Sequence, residues 1–113
     1  MKKIVYICSP FRMDRENMTE YARYLCRAAA DAGVVPYAPH LLFPQFMDDD
    51  FPGDGRRALE MGLEMLRVAD ELWVCGYIIT SGMRAEIEEA RRLGKFVRYI
   101  VTNDSFELME VGK

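Results

Sequence analysis

The stretch LWVCGYIITSGMRAEIEEARRLGKFVRYIV, residues 72–101, decides the fold. Its two ends, LWVCG and KFVRYIV, are continuous apolar runs, as expected of strands buried on both faces. Between them, TSGMRAEIEEARRLGK places Met83, Ile87, Ala90 and Leu93 along one side of a helix, while Arg84, Glu88 and Arg92 point the other way. Gly94 stops that helix before the second strand begins. A strand, a helix and a second apolar strand in this order form a crossover between parallel strands.

One residue breaks the pattern, because Glu86 shares the apolar side of the helix and burying an unpaired charge is costly. The residues leave two explanations open. Either Glu86 meets Arg12, Arg57 or Lys95 in an ion pair at the edge of the core, or it has a chemical task. The helix start nearby has free backbone N–H groups and a positive dipole end, which favour an ionised carboxylate. Under the second explanation Glu86 therefore reads as a nucleophile or an acceptor for a sugar hydroxyl rather than a proton donor.

The remainder of the chain fits the same plan. KIVYIC, residues 3–8, is a third apolar strand, ended by Ser9-Pro10. From Asp14, an N-cap, the positions Met18, Tyr21, Ala22, Leu25, Ala29 and Ala32 keep helical spacing up to Gly33, and residues 34–38 form a short strand. HLLFPQFMDDDFPGDG, residues 40–55, mixes apolar residues with prolines, glycines and aspartates and reads as a long loop over a pocket. Helical spacing returns over residues 56–69, and the final TNDSFELMEVGK is compatible with a short helix, an edge strand or a tail. The predicted fold is α/β: one domain over residues 1–113, with a small doubly wound parallel sheet of four to five strands, flavodoxin-like or Rossmann-like, and helices on both faces.

Open parallel sheets take their ligands beyond the carboxyl ends of the strands. That rule selects Ser9, Pro10, Phe11 and Arg12 after the first strand, His40 after the second, and Gly76, Thr80, Ser81, Gly82 and Met83 around the start of the Glu86 helix. His40, the single histidine, reads as a hydrogen-bonding wall residue, and no second histidine supports a metal site. The spacing of Asp48, Asp49, Asp50 and Asp54 misses the EF-hand pattern and suits a solvated loop. Neither a P-loop nor a GxGxxG fingerprint is present, which argues against an NTPase or a dinucleotide enzyme. No metal or cofactor is expected.

Composition narrows the partners. A chain of 113 residues, half of them hydrophobic, supports one modest core, and a net charge of -3 argues against broad attraction to nucleic acid polymers or anionic membranes. A free mononucleotide needs only a local anion site and stays compatible. Cys8, Cys26 and Cys75 occur without a CxxC pair, as expected of reduced thiols, and MKKIVYICSP is too short in its apolar run for a signal peptide or membrane span. A cytoplasmic location is the expectation.

Three stretches, VYICSPF, YAPHLLFPQF and ADELWVCGYIITSGMRAEIEEARRLGK, together resemble the nucleoside 2-deoxyribosyltransferase-like superfamily, most closely its short bacterial and phage members, over Lys3 to Ile100. The resemblance implies cleavage or transfer at the N-glycosidic bond of a nucleoside or its 5'-monophosphate. Glu86 matches the family's nucleophile and Tyr6 the first-strand tyrosine that helps hold it, which implies a retaining mechanism through a glycosyl-enzyme. Thr80, six residues before Glu86, stands where exchange enzymes tend to carry aspartate and monophosphate N-glycosidases a serine that contacts phosphate. Arg12 matches a phosphate-side arginine. The family also implies a homodimer or larger homo-oligomer, with which the apolar LLFPQF segment is compatible.

One departure bears on competence. The family's acidic residue in the preceding helix, eight positions before the aspartate matched by Asp70, falls on Gly62 here, which transfers no proton. Glycine inside a helix costs about 1 kcal/mol against alanine, so Gly62 serves close packing or leaves space for ligand. Either His40, Glu60 or the Asp48–Asp50 loop supplies the proton, or the protein binds nucleotides as a sensing module with weak or no turnover.

Overall fold

The computed structural model describes residues 1–11, 14–103 and 107–112. Strand β1 (Ile4–Cys8) lies inside the sheet, with β2 (Val35–Tyr37) on one side and β3 (Glu71–Cys75) on the other, both parallel to it. Strand β4 (Phe96–Thr102) adds in parallel to β3, in the register Glu71 to Phe96 and Cys75 to Ile100. The order is β2-β1-β3-β4-β5. The last strand, β5 (Leu108–Val111), runs antiparallel to β4, so the wholly parallel sheet expected from the sequence acquires one reversed edge. A short connection forces that reversal, since a parallel return needs a crossover of a dozen residues or more.

The apolar runs are explained by burial on two faces. Val5 and Ile7 point with Trp73, Cys75 and Ile100 towards Leu25 and Ala29 of helix α1 (Arg15–Asp31). Tyr6, Cys8, Leu72 and Val74 point the other way, towards Leu66 of helix α3 (Asp54–Leu66) and Met83, Ile87 and Ala90 of helix α4 (Ser81–Arg92). Strand periodicity of two therefore divides β1 into an α1 side and an α3–α4 side. Every residue of β3 is buried, as a strand flanked by two others and covered on both faces must be.

The helix ends obey local chemistry. Asp14 accepts from the Asn17 backbone N–H at 3.3 Å and caps α1. Thr80 Oγ1 accepts from the Met83 N–H at 3.3 Å and caps α4. Residues 40–55 are less irregular than their composition implies. Pro39 opens a short helix, α2 (Pro39–Leu42), and a 3-10 turn (Phe43–Gln45) follows, with Phe43 buried. Proline suits the first turn of a helix because its missing N–H has no partner there. The aspartates organise the rest: the Asp48 N–H donates to Asp54 Oδ2 at 3.0 Å and the Asp50 N–H to Asp48 Oδ1 at 2.9 Å.

At the amino end of β3, Glu71 is buried and receives Arg98 Nε at 2.9 Å, Lys3 Nζ at 2.9 Å and Trp73 Nε1 at 3.0 Å. Burial alone would raise its pKa, but these donors outweigh it and hold the carboxyl at about 2. No helix among the described residues is long and apolar enough to cross a membrane. All three cysteines are free thiols.

Candidate active site

A cavity of about 840 Å³ opens between the start of α4, the first half of α3 and the 39–49 segment. Glu86 stands on its wall, 5% exposed. The register that places β1 beside β3 also puts Tyr6 and Cys8 under α4, where Tyr6 donates its hydroxyl to Glu86 Oε2 and the Cys8 thiol reaches Glu86 Oε1 at 3.4 Å. Each carboxylate oxygen thus has its own donor. Burial, and then the nearby Glu86 charge, pushes both Tyr6 and Cys8 well above their ordinary pKa values, so both keep their protons at neutral pH.

Glu86 itself is pushed up to about 7 by burial, against the opposing pull of the Tyr6 and Cys8 hydrogen bonds. Burial thus works against the ionised form that the helix start was expected to favour. Glu86 is the sixth residue of α4, beyond the turn whose N–H groups are free, so loss of water outweighs the dipole. The ion-pair explanation also weakens among the described residues, because Arg57 lies 3.6 Å from Asp54 and Lys95 donates to the Arg67 carbonyl at 2.9 Å. Arg12, the third proposed partner and the proposed phosphate-side arginine, lies outside the described residues.

Of the other residues selected from sequence, Tyr6, Phe11, His40, Thr80, Ser81, Gly82 and Met83 share the cavity wall with Glu86. Ser81 and Gly82 begin α4, before the first amide that the Thr80 side chain caps. His40 stacks on Phe11 with ring centroids 4.7 Å apart and planes 8° from parallel. Its Nε2 lies 2.9 Å from the Ser9 carbonyl, which only accepts, so Nε2 carries a proton. Ser9, Pro10 and Gly76 lie off this wall. Gly76 turns at φ 96°, with Tyr21 and Pro10 beside the place where a Cβ would sit, and so belongs to the packing beside α1.

Several wall residues have no clear sequence signal. Arg15 and Arg56 line the cavity, and Arg15 approaches Asp49 at 3.7 Å and Asp50 at 3.6 Å. Leu59 falls within the helical spacing of residues 56–69, which does not mark it as facing a cavity. Asp48 and Asp49 are also on the wall, whereas Glu60 is not and instead lies 3.8 Å from Arg56. Among the described residues, no three His, Cys, Asp or Glu side chains converge to hold a metal ion.

Strand order and helix placement make an α/β fold that solved 2-deoxyribosyltransferases share. The 2-deoxyribosyltransferase of Bacillus psychrosaccharolyticus superposes with a TM-score of 0.66 at 20% identity, over 87% of this chain and 72% of that one. The 2-desoxiribosyltransferase of Leishmania mexicana gives 0.64 at 18% identity, over 97% and 80%. At such identities the likeness is one of fold, and the resemblance read from the motifs holds at that level. Residues 3–100 match the family described as Domain of unknown function (DUF7768), and the chain belongs to that family. No curated protein matches the sequence.

Proposed function

We propose that this protein is an enzyme that cleaves or transfers the N-glycosidic bond of a nucleoside or nucleoside 5'-monophosphate, with Glu86 as nucleophile. The observation that carries the reading is a buried carboxylate on a cavity wall, held by two uncharged donors and without a cationic partner among the described residues. A carboxylate kept only for stability would be paired, because leaving it unpaired costs free energy. The fold neighbours support the same chemistry, since both are named as deoxyribosyltransferases and the Bacillus protein is described as a biocatalyst for nucleoside synthesis.

In the proposed reaction a Glu86 oxygen attacks the anomeric carbon, the C–N bond breaks, and the base leaves with the electron pair. A C–O ester to Glu86 results, and water or a second base then displaces the carboxylate with net retention. Tyr6 orients the attacking group. The departing nitrogen needs a proton from the cavity wall, on which Asp48, Asp49 and His40 lie and Glu60 does not. Ser81 and Gly82 present N–H groups at the head of α4, and with Thr80 they suit a phosphate or a sugar hydroxyl. Phe11, His40 and Met83 form the less polar wall against base and sugar.

Incubation with deoxynucleosides and their monophosphates, followed by chromatography for free base, tests the reading. Release by the wild type and none by Glu86→Ala is expected; equal release by both would sink it. A 2-fluoro sugar analogue should leave an adduct on Glu86, visible by mass spectrometry. Gly62 favours a second reading, a nucleotide-binding module without turnover, which predicts tight calorimetric binding that survives Glu86→Gln and no base release. Assembly as a homodimer or larger homo-oligomer is part of the proposal; a single monomer peak in light scattering would remove it.

A further inference from the structure

Gly62 lies inside α3 with an ordinary helical φ, unlike the glycines at 33, 53, 76 and 94, so its backbone places no demand for glycine. Space does. A Cβ at position 62 would come within 2.6 Å of the Tyr6 hydroxyl oxygen, a distance that real Cβ atoms do not tolerate. The next nearest atoms, Tyr6 Cζ at 3.8 Å and Phe43 Cε2 at 3.9 Å, are at ordinary contact distance. The conflict therefore involves one atom, and that atom is the one that donates to Glu86.

We propose that Gly62 is a positioning residue for the Glu86 site: the missing side chain is the seat that lets the Tyr6 hydroxyl reach Glu86. The inference deepens the N-glycosidase reading and rests on it for its catalytic consequence, although the steric part stands alone. Tyr6 is fully buried and packs in the core cluster under α3 and α4. Any side chain at 62 pushes the hydroxyl off the carboxylate or pushes α3 away from the sheet. With α3 and Tyr6 placed as they are here, an acidic side chain at 62 would meet the Tyr6 hydroxyl. The glycine at this position is then a consequence of how Glu86 is held, and the proton for the leaving base has to come from another part of the wall.

The test is a cycle of Gly62→Ala, Tyr6→Phe and the double variant, read by thermal denaturation and by pH titration of the Glu86 carboxylate with ¹³C-labelled glutamate. With the tyrosine present, Gly62→Ala should lower the melting temperature and raise the Glu86 pKa, as loss of the Tyr6 donor does. With the hydroxyl removed, the added methyl meets only ordinary contacts and gains helix propensity, so the double variant should melt roughly 4 °C above Tyr6→Phe alone. An unchanged Glu86 titration in Gly62→Ala overturns the proposal. Should Gly62→Ala fail to fold, a double variant no more stable than Tyr6→Phe overturns it equally. Absence of base release from the wild type would remove the catalytic reading and leave these two measurements intact.

Discussion

Glu86 is held between donors of unequal strength. A phenol O–H donates far better than a thiol, and the thiol contact is long at 3.4 Å. A hydrogen bond to a charged group contributes about 1.5–3 kcal/mol, so Tyr6→Phe is expected to slow base release roughly tenfold to a hundredfold. Both donors lower the Glu86 pKa, so removing either moves it upward. An ionised nucleophile requires activity to rise with pH through a limb near 7, and that limb should shift up in Tyr6→Phe and less in Cys8→Ala. Rate profiles from pH 5 to 9 would show it; activity falling through the same limb would instead make Glu86 a proton donor. Helical periodicity had already turned Glu86 inward. Its donors were not legible from spacing, because they lie 80 and 78 residues away and meet it only through the placement of β1 under α4.

At the scale of elements, legibility followed the strength of the local pattern. The buried strands and the three long helices were visible because their periods repeat over enough residues to exclude the alternative. The segment from Pro39 to Gln45 was not, since one turn of helix and one 3-10 turn hold too few residues to establish a period. That segment supplies Phe43 and His40 to the cavity, so the wall was read less completely than the sheet. Thr80 is the element-scale feature with the most direct consequence. Its hydroxyl takes the Met83 N–H, and Thr80→Ala should cost about 1 kcal/mol of stability. The same substitution loosens the first turn that presents Ser81 and Gly82, so the apparent KM for a monophosphate should rise more than that for the parent nucleoside. Equal changes for both substrates would separate Thr80 from any phosphate contact.

Two buried carboxylates couple the stability of the whole molecule to pH, and they act in opposite directions. Glu71, held at about 2 by Arg98, Trp73 and Lys3 against the cost of burial, stabilises the fold above its ordinary pKa, and that contribution is lost as pH falls from 4.5 towards 2. Glu86, raised from 4.5 to about 7, behaves in reverse: between these values the unfolded chain has released the proton and the folded chain has not, so stability falls as pH rises through the window. Across its full width the Glu86 effect amounts to about 3 kcal/mol, from 1.36 kcal/mol per unit of pKa difference. For a chain of this size, that is roughly 10 °C in melting temperature. Stability governed by this pair should peak near pH 5 and decline towards pH 8. Glu86→Gln removes the ionisation and keeps the shape, so it should flatten the decline and melt above the wild type at pH 8 while releasing no base. Parallel melting curves for the two proteins from pH 5 to 8 would show that Glu86 is already compensated in the fold, and would return it to the structural ion-pair explanation that its place in the helix first allowed.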